Sequence, residues 1–97
     1  MGLFQLSKAA KNDLRSIAIF TGNRWGKAQR NLYIKQLDDA FLLLAQNPEA
    51  GSSCDEIREG YRKYLQGSHV IFYKRTSPSE ILVVRILHKR MDYTSHT

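Results

Sequence analysis

Residues Ile81 to His88 read I-L-V-V-R-I-L-H, and no other stretch constrains the fold as strongly. Read as a β-strand, its side chains alternate between two faces. Ile81, Val83 and Leu87 then lie on one face, and Leu82, Val84 and Ile86 on the other. A strand that is apolar on both faces needs cover on both. A pair of helices can cover one of them. The other must be shielded from elsewhere, and for a chain of 97 residues a partner protein is the natural candidate.

Two strands precede this segment. Tyr61-Arg62-Lys63-Tyr64-Leu65 is short and mixed in character. His69 to Arg75 alternates weakly, with Val70 and Phe72 on one face and Ile71 and Tyr73 on the other. Gln66-Gly67-Ser68 and Thr76-Ser77-Pro78-Ser79 have the composition of turns and separate the three strands. From Arg58 to Arg90 there are eight basic residues (Arg58, Arg62, Lys63, Lys74, Arg75, Arg85, Lys89, Arg90) and two acids (Glu59, Glu80). The whole chain carries 15 Lys and Arg against 9 acids, a net charge of +6. This bias favours an acidic partner, whether nucleic acid or protein, and charge alone does not separate the two.

The N-terminal half has a different period. Leu3-Phe4-Gln5-Leu6 is a short apolar run that reads as a strand, and Ser7 is placed to cap a following helix. From Lys8, Ala10, Leu14, Ile17, Ala18, Thr21 and Trp25 recur at helical steps. Gly22-Asn23 weakens this helix near its end, and Gly26 breaks it before a second one. The second helix runs from about Lys27 to Gln46, with Ala28, Leu32, Leu37, Ala40, Phe41, Leu44 and Ala45 as its buried stripe. Asn47-Pro48 stops it. So short a break folds the two helices into an antiparallel hairpin. Glu49 to Glu59 is polar and reads as a connecting loop with at most one helical turn.

The expected fold is therefore α+β over residues 1–97 as a single domain. A short N-terminal strand leads into a helix hairpin packed on one face of a largely antiparallel sheet, which ends in three consecutive strands. No apolar run approaches the ~18 residues needed to cross a membrane. The opening Met1–Gln5 lacks the pattern of a secretory signal, so the expected location is the cytoplasm. Cys54 is the sole cysteine, which excludes an internal disulfide and a multi-cysteine zinc site. Asp55 and Glu56 beside it disfavour a thiolate and argue against a catalytic cysteine. His69, His88 and His96 are too scattered for a metal site, His96 falling in a tail, and no phosphate-cradling glycine loop is present. No metal and no cofactor are expected.

The titratable residues of interest are His69, His88, Glu59, Arg62, Arg85, Lys89 and Tyr73. His88 with Glu59, Arg62 and Arg85 has the chemistry of a metal-independent nuclease: acid, base and cations for the phosphate. The competing reading has Arg85 pairing at a sheet edge and His88 closing a strand with no catalytic task. No spacing in the sequence forces these side chains together. Tyr61, Tyr64, Phe72 and Tyr73 among basic residues give only a weak likeness to an RNA-stacking sheet, since half or more of them belong in a core.

Specific words in the sequence follow the same element order. They are A-A-K-N-D-L-R-S-I-A-I-F-T in the first helix, R-W-G (Arg24 to Gly26) at the bend and N-P (Asn47-Pro48) closing the second helix. I-R-E-G-Y-R-K (Ile57 to Lys63), G-S-H-V-I-F-Y (Gly67 to Tyr73) and V-R-I-L-H-K-R-M-D (Val84 to Asp92) continue the series. On these, from about Phe4 to Asp92, the chain resembles the ParE branch of the RelE/ParE toxin superfamily. The resemblance implies the toxin of a bacterial type II toxin–antitoxin pair that inhibits DNA gyrase and is not an enzyme. The alternative is ribosome-dependent mRNA cleavage, as in the RelE branch. Those ribonucleases use an Arg or Lys set in the middle strands and a C-terminal Tyr or His. Here His69 stands at the head of the middle strand, and His88 is followed by Lys89-Arg90-Met91-Asp92 with no terminal Tyr, which favours the gyrase reading.

The gyrase-contact candidates are Arg62, Arg85, His88, Lys89, Arg90 and Met91. The antitoxin-contact candidates are Tyr61, Tyr64, Ile71, Tyr73, Leu82, Val84 and Ile86, on the sheet surface expected to need a partner. That partner would be an acidic, partly disordered ParD-like antitoxin forming a hetero-oligomer with the toxin. Direct nucleic-acid binding and membrane association are not expected.

Overall fold

A computed structural model of the chain describes residues 3–90. The elements in order are β1 (Leu3–Leu6), α1 (Lys8–Trp25), α2 (Lys27–Gln46), β2 (Ser52–Ser53), β3 (Tyr61–Gln66), β4 (His69–Ser77) and β5 (Glu80–His88). The five strands form one sheet in the order β1-β5-β4-β3-β2. β1 runs parallel to β5, and the other pairs are antiparallel. Among the described residues, no helix is long and apolar enough to cross a membrane.

The helix boundaries follow local chemistry. Ser7 Oγ accepts the Ala10 amide at 3.0 Å and so caps α1. Gly26, at φ 94°, is at once the C-cap of α1 and the N-cap of α2. A residue with a side chain is strained at that φ, so a one-residue joint between two helices calls for glycine here. The helices pack on each other and on β5 and β1. Leu37, Phe41 and Leu44 of α2 meet Ile71, Tyr73, Ile81, Val83 and Ile86 of the sheet in the main core. Full burial of each such leucine or phenylalanine contributes about 1.5–3 kcal/mol relative to exposure.

Three expectations from the sequence are corrected. The first concerns the second face of the sheet. Residues 49–59 are more than a connecting loop: Ser52–Ser53 pairs with Arg62 and Lys63, and the next turn folds under the sheet. That turn is closed by Cys54 N donating to Tyr61 O at 2.9 Å and by Gly60 N donating to Asp55 Oδ1 at 2.9 Å. It brings Cys54 and Ile57 against Tyr61, Val70, Phe72 and Leu87. The chain therefore covers much of this face itself, and no partner is needed there to build a core.

The second correction is one of register. Phe72 pairs with Arg85 but Tyr73 pairs with Val83, so Val84 is bulged out of the ladder. Past the bulge the alternation shifts by one residue. Ile86 joins Ile81 and Val83 beneath the helices, while Leu87 moves to the opposite face with Val70 and Phe72. The bulge lies where β1 ends. Beyond Leu6 the exposed edge of β5 is paired instead by the start of α1. Ser7 N donates to Val83 O at 2.9 Å, Ser7 Oγ donates to Val84 O at 2.7 Å, and Asp13 Oδ2 accepts from Ile86 N at 3.0 Å.

The third correction follows from the first two. Of the antitoxin-contact candidates, Ile71, Tyr73 and Ile86 are 0%, 0% and 2% exposed in the core under the helices. Tyr61 is buried in the smaller core. These four hold the fold and offer no surface to a partner; Tyr64, Leu82 and Val84 are half-buried and remain accessible. The apolar cluster at the hairpin tip is also displaced from expectation. Trp25, Ala28 and Leu32 are exposed and not part of the helical core. α1 has its last buried residue at Thr21, one turn before the Gly26 joint, so Trp25 and Ala28 have no core beneath them.

Candidate functional site

At the hairpin tip the helices stand over the ends of β4 and β5 and leave an open groove of about 520 Å³. Phe20, Trp25 and Tyr33 form its helical side, and Ser68, His69 and His88 its sheet side. A smaller cavity of about 300 Å³ adjoins it, sharing Phe20, His69 and His88 and reaching Asp13 and Arg85. Phe20 and Trp25 are 64% and 63% exposed, with Ile19 and Leu32 bare beside them. So many large apolar side chains together on one end of a small domain mark an interaction surface.

The polar floor of the groove is a chain of hydrogen bonds. Tyr33 Oη lies 2.6 Å from His69 Nδ1 and 3.2 Å from Gln66 O, and accepts the Ser68 amide at 3.1 Å. Tyr33 sits against the β3–β4 turn at Gly67, whose φ of 60° and close approach to the ring leave no room for a Cβ. The His69 and His88 rings meet edge-on at 5.4 Å between centroids, as their strand pairing requires. His88 Nδ1 accepts the Arg90 amide at 3.1 Å. A backbone N–H can only donate, so neutral His88 carries its proton on Nε2. Burial, and secondarily the neighbouring His88, lower the pKa of His69; burial raises that of Tyr33 against the opposing effect of the Ser68 bond.

The cationic candidates separate into two groups. Arg62 donates from Nε and a terminal nitrogen to Gly51 O, at 3.1 and 2.6 Å, and reaches Glu49 O at 3.4 Å. It fastens the loop after α2. Arg85 forms a two-pronged ion pair with Asp13, at 2.8 and 3.0 Å, which raises its pKa. That is the sheet-edge role weighed against catalysis for Arg85 in the sequence. Lys89 and Arg90 are exposed beside His88. Met91 and His96 lie outside the described residues.

Of the nuclease constellation, His88 and Arg85 line one small cavity but Arg62 does not join them. Arg62 pairs with Tyr73, whereas the His69–His88 pair lies level with Gln66, about 13 Å further along β3 at the usual strand rise. Among the described residues no group of three or more His, Cys, Asp or Glu is arranged to hold a metal. Cys54 is fully buried, and burial first, then Glu56, raises its thiol pKa. Sequence reasoning found His88, Lys89 and Arg90 and noted His69. It missed Phe20 and Tyr33 altogether and placed Trp25 in the core. The adjacent R-W-G word was the available signal, since a Trp beside a joint glycine lies at the end of its helix and beyond its buried stripe.

Residues 4–93 match the family model described as the ParE toxin of the type II toxin-antitoxin system parDE. The chain is 47% identical over 89 residues to Toxin ParE1 of Mycobacterium tuberculosis, covering 92% of this chain and 91% of the relative. It is 36% identical over 93 residues to Toxin ParE1 of Caulobacter vibrioides, covering 96% and 95%. A solved structure described as the chromosomal ParDE TA system from P. aeruginosa has the same fold, with a TM-score of 0.73 at 18% identity over 91% of this chain and 95% of that one. The helix hairpin on an open five-stranded sheet, together with these matches, defines the class: a toxin of a type II toxin–antitoxin system. The chain belongs to the ParE toxin family.

Proposed function

We propose that this toxin acts by inhibiting DNA gyrase without being an enzyme, and that a ParD-like acidic antitoxin neutralises it. The observation that carries this reading is the groove. It combines exposed aromatic anchors with the cations Lys89 and Arg90 next to His88, an arrangement suited to holding a protein surface. Met91, beyond the described residues, continues the same contact segment. Arg62 and Arg85, engaged with Gly51 and Asp13, leave the list of target contacts and act through the fold.

An amphipathic antitoxin segment laid over the tip would bury Phe20, Trp25 and Leu32 and neutralise the cations around them. Aromatic anchors of this kind supply most of the affinity at interfaces, and the opposite charge speeds the encounter. Tyr64, packed against the helix-side core, and Val84, packed against the opposite one, are with Leu82 further half-buried apolar positions. Because the groove adjoins Lys89 and Arg90, an antitoxin seated there would mask the segment proposed to touch gyrase. The test assays the purified chain for inhibition of gyrase supercoiling and for ribosome-dependent mRNA cleavage, each with and without a ParD-like antitoxin from the same genome. Supercoiling should stop and recover on adding antitoxin. Cleavage without gyrase inhibition reverses the assignment.

A further inference from the structure

We infer that His69 and His88 form a proton-linked carboxylate anchor, which grips one acidic side chain of the antitoxin at the floor of the groove. This rests on the antitoxin reading above and adds the residue chemistry and the pH dependence of that contact.

The two Nδ1 atoms are already occupied, by Tyr33 Oη and by the Arg90 amide. Both rings line the groove, and neither Nε2 has a hydrogen-bond partner among the described residues. For His88 the tautomer is forced, so its Nε2 is an N–H donor whether the ring is neutral or charged. For His69 the Tyr33 hydroxyl decides. Its single proton goes either to His69 Nδ1, at 2.6 Å, or to Gln66 O, at 3.2 Å. With neutral His69 accepting from Tyr33, the proton of the ring is on Nε2. When His69 takes up a second proton, Tyr33 turns its own to Gln66 O and accepts from His69 Nδ1–H. No heavy atom has to move. In both states His69 and His88 offer two N–H donors to the same groove, and a carboxylate has an oxygen for each.

The surroundings favour an anion and lack one. From α1, Asp13 reaches the adjoining cavity, but its carboxylate already accepts from Arg85 and from the Ile86 amide. From α2 comes Tyr33, neutral at ordinary pH. β5 contributes Arg85, paired, and His88; Lys89 and Arg90 follow it. The β3–β4 turn supplies only the Gln66 carbonyl and the Ser68 amide. In the free toxin, burial and the adjacent His88 hold His69 neutral. A carboxylate reaching the two rings from the groove offsets that bias and draws a proton from solvent.

Calorimetry of antitoxin binding to the full-length toxin, in buffers of differing ionisation heat, counts the protons taken up. The expected result is a net uptake approaching one per site between pH 7.5 and 6, with affinity tightening as pH falls. His69→Asn and His88→Asn each keep an oxygen where Nδ1 was, so the Tyr33 and Arg90 bonds survive, while the Nε2 donor is deleted. Each should weaken binding on the order of tenfold or more and reduce the proton uptake. Proton uptake that persists undiminished in both variants, or wild-type affinity that does not change from pH 7.5 to 5.5, overturns the anchor. If a variant fails to fold, the wild-type proton count alone decides. No binding at any pH overturns the antitoxin reading itself, whereas tight binding without proton uptake overturns only the anchor.

Discussion

Asp13 is the side chain whose removal tests the packing argument most directly. Its carboxylate accepts from Arg85 Nε at 2.8 Å, from a terminal Arg85 nitrogen at 3.0 Å and from the Ile86 amide at 3.0 Å. The side chains of Arg85 and Asp13 are 27% and 15% exposed, so water only partly replaces a lost partner. Breaking a fully buried ion pair costs about 3–5 kcal/mol, and an exposed pair contributes about 0–1 kcal/mol. This pair lies nearer the buried limit, and Asp13→Ala also strands the Ile86 amide at the open edge of β5. The expected loss is about 3 kcal/mol, a fall in Tm of roughly 12–24 °C for a domain of this size. Arg85→Met keeps the apolar stem and leaves Asp13 bonded to Ile86, so it should cost about 1–2 kcal/mol. The double variant should recover about 2 kcal/mol of coupling. Urea unfolding followed by far-ultraviolet circular dichroism is the assay, because Trp25 is too exposed to report the core by fluorescence. A coupling below about 0.5 kcal/mol refutes the view that Arg85 serves the fold through Asp13.

Three further outcomes follow from the same geometry. Tyr73 Oη donates to Pro48 O at 2.7 Å and accepts the buried Gly51 amide at 2.9 Å, so Tyr73→Phe should destabilise by about 1–3 kcal/mol in urea melts. The lowered pKa of His69 means that the unfolded chain binds its proton more readily than the folded one. That contribution to stability is present above the unfolded value of 6.5 and is lost as pH falls below it, so the urea midpoint of the free toxin should drop between pH 7.5 and 5.5, and less so in His69→Asn. The double change Lys89→Ala, Arg90→Ala should relieve growth inhibition more than His88→Ala while leaving the melting curve near wild type; loss of toxicity from His88→Ala alone, with the double change silent, points instead to acid–base catalysis.

Local chemistry was enough to read most of the element plan. The Ser7 cap, the Gly26 joint, the Asn47 stop and the shift from a period near four to a period of two are properties of short windows, and each lies where the sequence placed it. Family membership was legible for the same reason, as a series of short words in order. Facing was not legible, because it depends on partners far away in the chain. Ile86 and Leu87 exchanged faces because Val84 bulges out of the β4–β5 ladder, at the point where β1 ends. The second face of the sheet found its cover in Cys54 and Ile57, which no period marks as core. The sequence offered a sheet-edge pairing for Arg85 but no partner for it or for Arg62; the fold supplies Asp13 and Gly51. The two apolar faces of Ile81–His88 did require cover on both sides. The fold decided that the chain itself would supply much of it, and that an aromatic tip would be left bare where His69 meets His88.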